Sequence, residues 1–206
     1  MALATVLSRA QNGLAANLVT VEIHLGAGLP GVTIVGLPDT AVRESRDRVK
    51  AAIVNAGFKF PGTRRLVINL APADLPKDGG RFDLAIALGI LAVSGQIPAQ
   101  TLRGCEVLGE LSLSGELRGV AGALPAALRA GEAGHWLLVP EANAAEAALA
   151  RRARIVAAHH LGDLCAALHA GELATVPAAA PEATAEPAPD LSDVRGQAQA
   201  RRALEV

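Results

Sequence analysis

The stretch that decides the fold is NLAPADLPKDGGRFDLAIALGI, residues 69–90. It joins a short apolar strand to an apolar helix through a loop that holds Lys77, Asp78 and Arg81 beside two glycines. Glycines let backbone amides approach an anion or an oxyanion closely, so this loop is a candidate for chemistry. The alternative interpretation is a polar turn ahead of a helix, and spacing alone leaves both open.

Two strands and a helix are predicted before this stretch. Residues 18–25 (LVTVEIHL) and 31–36 (GVTIVG) alternate apolar and polar side chains with β-branched enrichment, which predicts strands paired as a hairpin. The period then changes to that of a helix. Asp39 is the predicted N-cap of this helix, and Gly57 is its predicted C′ residue.

The remaining pattern predicts a mixed α/β (α+β) fold. Residues 65–70 predict the strand that leads into the loop, and residues 82–93, apolar almost all round, predict a buried helix. Residues 106–113 predict a further strand. The elements that follow are helix 122–133, strand 135–139, helix 141–150, strand 154–157 and helix 161–169. This C-terminal βαβα order is typical of a parallel sheet, so we expect a mixed sheet with packed helices.

The chain divides into three parts by composition. Its 206 residues are enough for one core and an appendage. Residues 174–189, rich in Ala, Pro, Glu and Thr, predict a disordered linker. This linker separates a domain of residues 1–173 from residues 190–206. The last segment regains a helical pattern at Gln197, and we interpret it as the truncated lead-in to a second domain.

Several classes of site and location are disfavoured. Cys105 and Cys165 lie 60 positions apart, which fits neither a disulfide framework nor a zinc motif. No signal peptide and no run of 18 apolar residues occurs, so we expect a cytoplasmic protein without a membrane partner. The five histidines lack metal-ligand spacing, and no G-x-x-x-x-G-K-[ST] loop occurs. We therefore expect no metal or nucleotide cofactor in this chain.

Charge is unevenly distributed although the net charge is only -1. Residues 43–81 contain nine basic and four acidic residues, whereas residues 82–206 contain nine basic and fourteen acidic ones. This asymmetry predicts a basic face. Aromatic residues are scarce, which favours phosphate contacts over base stacking. The candidate DNA-binding residues are Arg43, Arg46, Arg48, Lys50, Arg64, Arg65, Lys77 and Arg81. The alternative for those on the helix is a solvated amphipathic face.

Two runs of sequence resemble one family. Residues 28–61 (GLPGVTIVGLPDTAVRESRDRVKAAIVNAGFKFP) and 68–97 (INLAPADLPKDGGRFDLAIALGILAVSGQI) resemble the N-terminal domain of the ComM (YifB) type within the magnesium-chelatase-like AAA+ family. Residues 190–206 (DLSDVRGQAQARRALEV) resemble the segment that leads into the AAA+ module. The resemblance implies a hexameric helicase in full length, with ATP and Mg²⁺ in the missing module. It also implies single-stranded or branched DNA as partner, in branch migration during natural transformation and recombination.

The same chain resembles the catalytic domain of Lon protease. The resemblance rests on residues 76–83 (PKDGGRFD) and 109–130 (GELSLSGELRGVAGALPAALRA). It places Arg81 at the position of the Lon serine and Leu124 at that of the Lon lysine. A guanidinium stays protonated and cannot attack a carbonyl, and leucine cannot accept a proton. The resemblance thus implies a non-catalytic domain that contacts DNA and helps assembly.

Three alternatives stay open. Arg81 could form a salt bridge with Asp78 or Asp83 instead of contacting DNA. A divergent serine peptidase could use Ser94 or Ser112 with Lys77. The domain could also be a pure oligomerisation scaffold whose basic face meets an acidic neighbour.

Replacing Arg81 with serine (Arg81→Ser) is expected to restore no proteolysis while Leu124 remains, because a serine without a general base is a weak nucleophile. Casein degradation and labelling by a fluorophosphonate probe measure this. Covalent labelling of any serine in the unsubstituted chain would contradict the non-catalytic interpretation.

Overall fold

The computed structural model describes residues 2–13, 15–178 and 193–204. Its strands are β1 Ala2–Asn12, β2 Ala15–Gly26, β3 Gly31–Val35, β4 Arg65–Ala71, β5 Cys105–Val107, β6 Glu110–Leu111, β7 Leu117–Arg118, β8 Trp136–Pro140 and β9 Arg154–Ala158. Its α-helices are α1 Thr40–Asn55, α2 Asp83–Val93, α3 Ala123–Ala133, α4 Ala144–Ala148, α5 Leu161–Ala170 and α6 Ala198–Leu204. One-turn 3₁₀ helices occupy Ala99–Leu102 and Glu141–Asn143.

A seven-stranded mixed sheet forms the centre of the fold, in the order β3-β4-β2-β1-β5-β8-β9. Strand β2 is antiparallel to both β1 and β4. Strands β5, β8 and β9 are parallel to one another, and β5 is also parallel to β1. The predicted mixed α/β class and the parallel βαβα portion are confirmed. Strands β6 and β7 form a separate antiparallel ribbon.

The predicted hairpin between residues 18–25 and 31–36 is wrong. Strand β4 lies between β2 and β3, and β3 pairs with β4 in parallel. The second edge of β2 is taken by β1, which pairs with it along its whole length. A long antiparallel ladder with a short connection is the more favourable pairing, and it leaves no edge of β2 for β3. The sequence pattern did not predict β1.

Two further elements are shorter than predicted. The strand expected over residues 106–113 is broken into β5 and β6, because Gly109 has a φ of 154° and turns the chain between them. The helix expected over residues 141–150 is a 3₁₀ turn followed by the five-residue α4. Helix α1, by contrast, begins as predicted. The Asp39 carboxylate accepts from the Val42 amide at 2.7 Å, and Gly57 ends the helix with a φ of 87°.

Helix α2 is the buried helix of the core, as predicted. Its residues from Asp83 to Ala92 are all buried, and the helix packs on β1 and β2. Close approach depends on Gly89, since a Cβ there would overlap Cδ1 of Ile23 and lie 3.3 Å from Cγ2 of Val6. The helix can therefore lie directly on the sheet only because this position has no side chain.

The chain beyond α5 is described only in part. Of the predicted linker, residues 174–178 are described, and there the Val176 amide donates to the Ile155 carbonyl on β9 at 2.8 Å. Residues 179–189 of the linker lie outside the described residues. Helix α6 agrees with the helical pattern predicted from Gln197. Within the described ranges, no helix has the length and apolarity needed to cross a bilayer.

Replacing Gly89 with alanine is expected to destabilise the fold by about 1–3 kcal/mol, because the added methyl overpacks the contact with Ile23. Ile23→Val, which removes Cδ1, is expected to cost about 1 kcal/mol alone but to relieve much of the cost of Gly89→Ala. Urea unfolding of the two single variants and the double variant measures the coupling. Additive costs would contradict this packing.

Candidate functional site

The loop before α2 is fixed to the start of α1 by one aspartate. Residues Pro38 and Lys77 form a parallel bridge, and the Asp39 amide donates to the Lys77 carbonyl at 3.0 Å. The second carboxylate oxygen of Asp39 accepts from the Gly79 amide at 3.3 Å. The side chain that caps α1 therefore also holds the glycine turn in place.

Lys77 does not lie on the surface. The residue is 1% exposed, and its ammonium donates to the Pro72 carbonyl. Burial lowers the pKa of Lys77, although the charge of Asp74 opposes this. Because the ammonium points into the loop, Lys77 is not part of the basic face that the sequence predicts.

Arg81 is also buried, at 8% exposure. Its Nη2 donates to Oε1 of Gln11 and to the Ala121 carbonyl, both at 3.2 Å. In the described part of the chain Arg81 forms no ion pair with Asp78 or Asp83, so the salt bridge that was an alternative to DNA contact is not formed. Burial lowers the pKa of Arg81, opposed by the nearby charge of Asp78.

Arg81 lines a cleft of about 250 Å³, here called the Arg81 cleft. The lining residues are Asp78, Gly79, Gly80, Arg81, Glu110, Gly119, Val120 and Ala121. Leu124 lies in the first turn of α3, three positions after the Ala121 carbonyl that Arg81 binds, and its amide donates to Glu146 at 3.0 Å. The structure therefore brings together the segments that carry Arg81 and Leu124, the two positions that the Lon resemblance pairs.

The buried carboxylate of Asp83 forms an ion pair with Arg48. Asp83 is fully buried and accepts from Arg48 at 2.9 and 3.2 Å, from the Ser45 hydroxyl and from the Leu111 amide at 3.3 Å. Burial raises the pKa of Asp83 despite these bonds, and the hydrogen bond to Asp83 raises the pKa of Arg48. Arg48 is thus a link between α1 and α2, and is removed from the predicted basic face.

The other predicted cations remain at the surface. On α1, Arg43, Arg46 and Lys50 are exposed at helical spacing, on the side away from the buried residues. The Lys50 ammonium lies 5.9 Å from the Phe60 ring centroid, which connects α1 to the segment before β4. Exposed cations of these two segments, here called the exposed basic face, are Arg43, Arg46, Lys50, Lys59, Arg64 and Arg65. The sequence reasoning omitted Lys59 as a candidate.

Neither candidate serine forms a hydrogen bond with Lys77. Ser94 follows the last residue of α2, donates to the Ile90 carbonyl at 2.8 Å, and is separated from the loop by the helix length, about 16 Å. Ser112 is buried, and its hydroxyl is 2.8 Å from that of Ser114. A serine–lysine mechanism needs the two side chains within hydrogen-bond reach, which neither pair achieves.

A buried charge cluster was missed by the sequence reasoning. The fully buried Glu106 carboxylate accepts two bonds from Arg9, at 2.5 and 2.7 Å, and lies 2.9 Å from Nδ1 of His135. Arg9 also donates to the Ala16 carbonyl at 2.8 Å. The cluster joins β1, β2, β5 and the start of β8. Because Arg9 and Glu106 are 97 positions apart, no local motif could have indicated it.

Comparison with known proteins gives a family and several relatives. A family model described as subunit ChlI of Mg-chelatase matches residues 21–143. The chain is 47% identical to the uncharacterized protein YifB of Salmonella typhimurium and 45% identical to YifB of Escherichia coli, each over 206 residues. It is 47% identical over 211 residues to competence protein ComM of Haemophilus influenzae. Each alignment covers the whole chain but only 40–41% of the relative.

Replacing Arg48 with methionine is expected to destabilise the protein by about 3 kcal/mol at neutral pH, because Asp83 becomes an unpaired buried charge. Thermal or urea unfolding measures the loss. Arg46→Met is the matched control on the same helix, and little change is expected since its partner Asp47 is exposed. Equal costs for the two variants would contradict the role of Arg48.

The cost of Arg48→Met is also expected to shrink as the pH falls from 7 towards 5. Without Arg48 the folded-state pKa of Asp83 rises further above its unfolded value of about 3.9. In that window the folded state holds a proton that the unfolded state releases, so stability increases as pH falls. A pH-independent difference from the unsubstituted protein would exclude protonation of Asp83.

Proposed function

Because the chain belongs to the family of subunit ChlI of Mg-chelatase, we propose that it is the N-terminal part of a ComM-type AAA+ protein and acts as a non-catalytic domain that contacts DNA. In this proposal the full-length protein is a cytoplasmic hexameric helicase that acts in branch migration during transformation and recombination. ATP and Mg²⁺ bind in its remaining part, since no phosphate loop occurs in residues 1–206. This domain contributes DNA contact and assembly.

The observation that carries the proposal is the exposed basic face. Four of its cations are exposed and form no ion pair within the described ranges: Arg43, Lys50, Arg64 and Arg65. Arg46 pairs with Asp47, but both are exposed, and such pairs are weak enough to exchange for a phosphate. Arg64 also donates to the Leu25 carbonyl at 3.3 Å, but this acceptor is neutral and leaves its charge uncompensated. Exposed cations without an ion-pair partner suit sequence-independent contact with the DNA backbone.

Other features support a role without chemistry. The dyad positions carry Arg81 and Leu124, and the candidate serines are hydrogen-bonded within their own elements. The buried free thiols of Cys105 and Cys165 are consistent with a reducing compartment, which supports the cytoplasmic placement.

Arg64→Ala with Arg65→Ala is expected to weaken DNA binding and to flatten its salt dependence. Each lost phosphate contact reduces the slope of log Kobs against log salt by about 0.7 for single strands and about 0.9 for duplex. The slope of the double variant should therefore be smaller by about 1.4 for single strands and by about 1.8 for duplex. Fluorescence anisotropy with labelled single-stranded, forked and duplex DNA over a salt series measures both slopes.

Arg151→Ala with Arg152→Ala is the matched control, because these two adjacent arginines are also exposed but lie between α4 and β9. We expect this variant to leave affinity and slope unchanged. Absence of binding at low salt, or equal slopes for the two double variants, would favour the oligomerisation scaffold over DNA contact.

A further inference from the structure

The Arg81 cleft contains a buried cation with unused hydrogen-bond donors. Both bonds of the Arg81 side chain come from Nη2, and both acceptors, Gln11 and Ala121, are neutral. A guanidinium carries five N–H groups on three nitrogens. Because both bonds use Nη2, Nε and Nη1 have no protein acceptor in the described structure. Every fully enclosed side-chain nitrogen in the described ranges has a hydrogen-bond partner. Since Nε and Nη1 of Arg81 have none, they are not fully enclosed and reach open space. Because Arg81 lines the cleft, we assign this open space to the cleft.

Two helices begin near the residues that line the cleft, and carboxylates already lie at their first turns. Helix α2 begins two residues after Arg81, and helix α3 begins two residues after Ala121. In the first turn of α3 the Leu124 amide donates to the Glu146 carboxylate, and α2 has the Asp83 carboxylate at its first residue. Gly79 and Gly80 also line the cleft, where the Gly79 amide donates to Asp39 and the Glu110 carboxylate lies against Gly80.

Two carboxylates on the cleft wall restrict which anion fits. Glu110 lies so close to Gly80 that a Cβ there would overlap its carboxylate, and Asp78 is the second acidic lining residue. Glu110 is only loosely paired, with Arg118 at 3.7 Å. Two nearby negative charges repel a phosphate dianion more than a singly charged carboxylate. A volume of about 250 Å³ corresponds to roughly eight water molecules, so it admits a carboxylate together with part of the molecule that carries it.

We propose that the Arg81 cleft binds a carboxylate group, which accepts hydrogen bonds from the guanidinium donors that the protein leaves unused. The ligand class is a small carboxylic acid or the free C terminus of a peptide, since both present the same group. This site goes beyond DNA contact and does not depend on it, because the cleft and the exposed basic face use different residues. Occupation would give the buried guanidinium the counter-charge that Asp78 supplies only from a distance.

The test is titration of the ¹⁵N-labelled chain with sodium acetate at constant ionic strength, set with sodium chloride. The amide resonances of Gly79, Gly80 and Ala121 are followed. We expect saturable shifts in the wild type and at least tenfold weaker binding in Arg81→Gln. Arg129→Gln, an exposed arginine paired only with Glu132, is the control and should bind acetate as the wild type does.

Glu110→Gln keeps the proposal testable if Arg81→Gln does not fold. Removing this carboxylate lowers the repulsion in the cleft, so acetate should bind severalfold more tightly. Absence of saturable shifts with acetate would overturn the proposal, as would unchanged affinity in Arg81→Gln or in Glu110→Gln.

Further arms of the titration separate the sources of the carboxylate. Trialanine with a free C terminus, trialanine amide and inorganic phosphate are compared with acetate. Tighter binding of free trialanine than of acetate, with none of the amide, would identify a peptide C terminus. Equal binding of acetate and free trialanine would identify a small carboxylic acid. Tighter binding of phosphate than of acetate at the same amides would overturn the choice of carboxylate.

Discussion

The buried carboxylate of Asp83 is the interaction on which the arrangement of the site depends. Helix α2 is otherwise apolar, and a charge at its first residue would be costly inside the core without compensation. Arg48 and Ser45 from α1 and the Leu111 amide from β6 provide that compensation. Three elements are thereby fixed around the point where α2 begins. Arg81 lies two residues before that point, so its position follows from the same constraint.

The loop before α2 is held by hydrogen bonds that do not involve catalysis. Asp39 holds the turn at Gly79 and the start of α1 together, and the Lys77 ammonium closes the loop on itself. Arg81 is then drawn towards β1 and the start of α3 by neutral acceptors. A hydrogen-bonded frame with a buried cation and open donors is suited to binding an anion. Arg81, at the centre of this frame, is suited to recognition and not to nucleophilic attack.

Local signals in the sequence were sufficient for part of this structure. The N-cap at Asp39, the terminal Gly57 and the all-apolar pattern of α2 each depend on neighbouring residues, and all three predictions are confirmed. Strand β1 was missed, and β3 was paired with the wrong strand. Strand pairing is decided by partners distant in sequence and by competition for edges, which periodicity does not contain.

The site was predicted less well because residue type does not determine burial. Lys77 and Arg48 were expected in solvent, as most cations are. Lys77 and Arg48 instead donate inward, to the Pro72 carbonyl and the Asp83 carboxylate, and Asp83 is 35 positions from Arg48. The hydrogen bond from Arg81 to Gln11 spans 70 positions and ends on the strand that was missed. A list of cations in one segment therefore overstated the charge available at the surface.

This redistribution of charge bears on how the proposed DNA contact would work. Arg48, Lys77 and Arg81 are engaged internally, and Glu44 and Asp47 are exposed among the cations of α1. One domain therefore offers only a modest positive field, and its affinity for a phosphate backbone should be weak and sensitive to salt. In the proposed hexamer, the first contact would place the other copies at high effective concentration along the same DNA. Weak contacts repeated by assembly would then bind firmly while each one releases quickly, as a protein that moves along DNA requires.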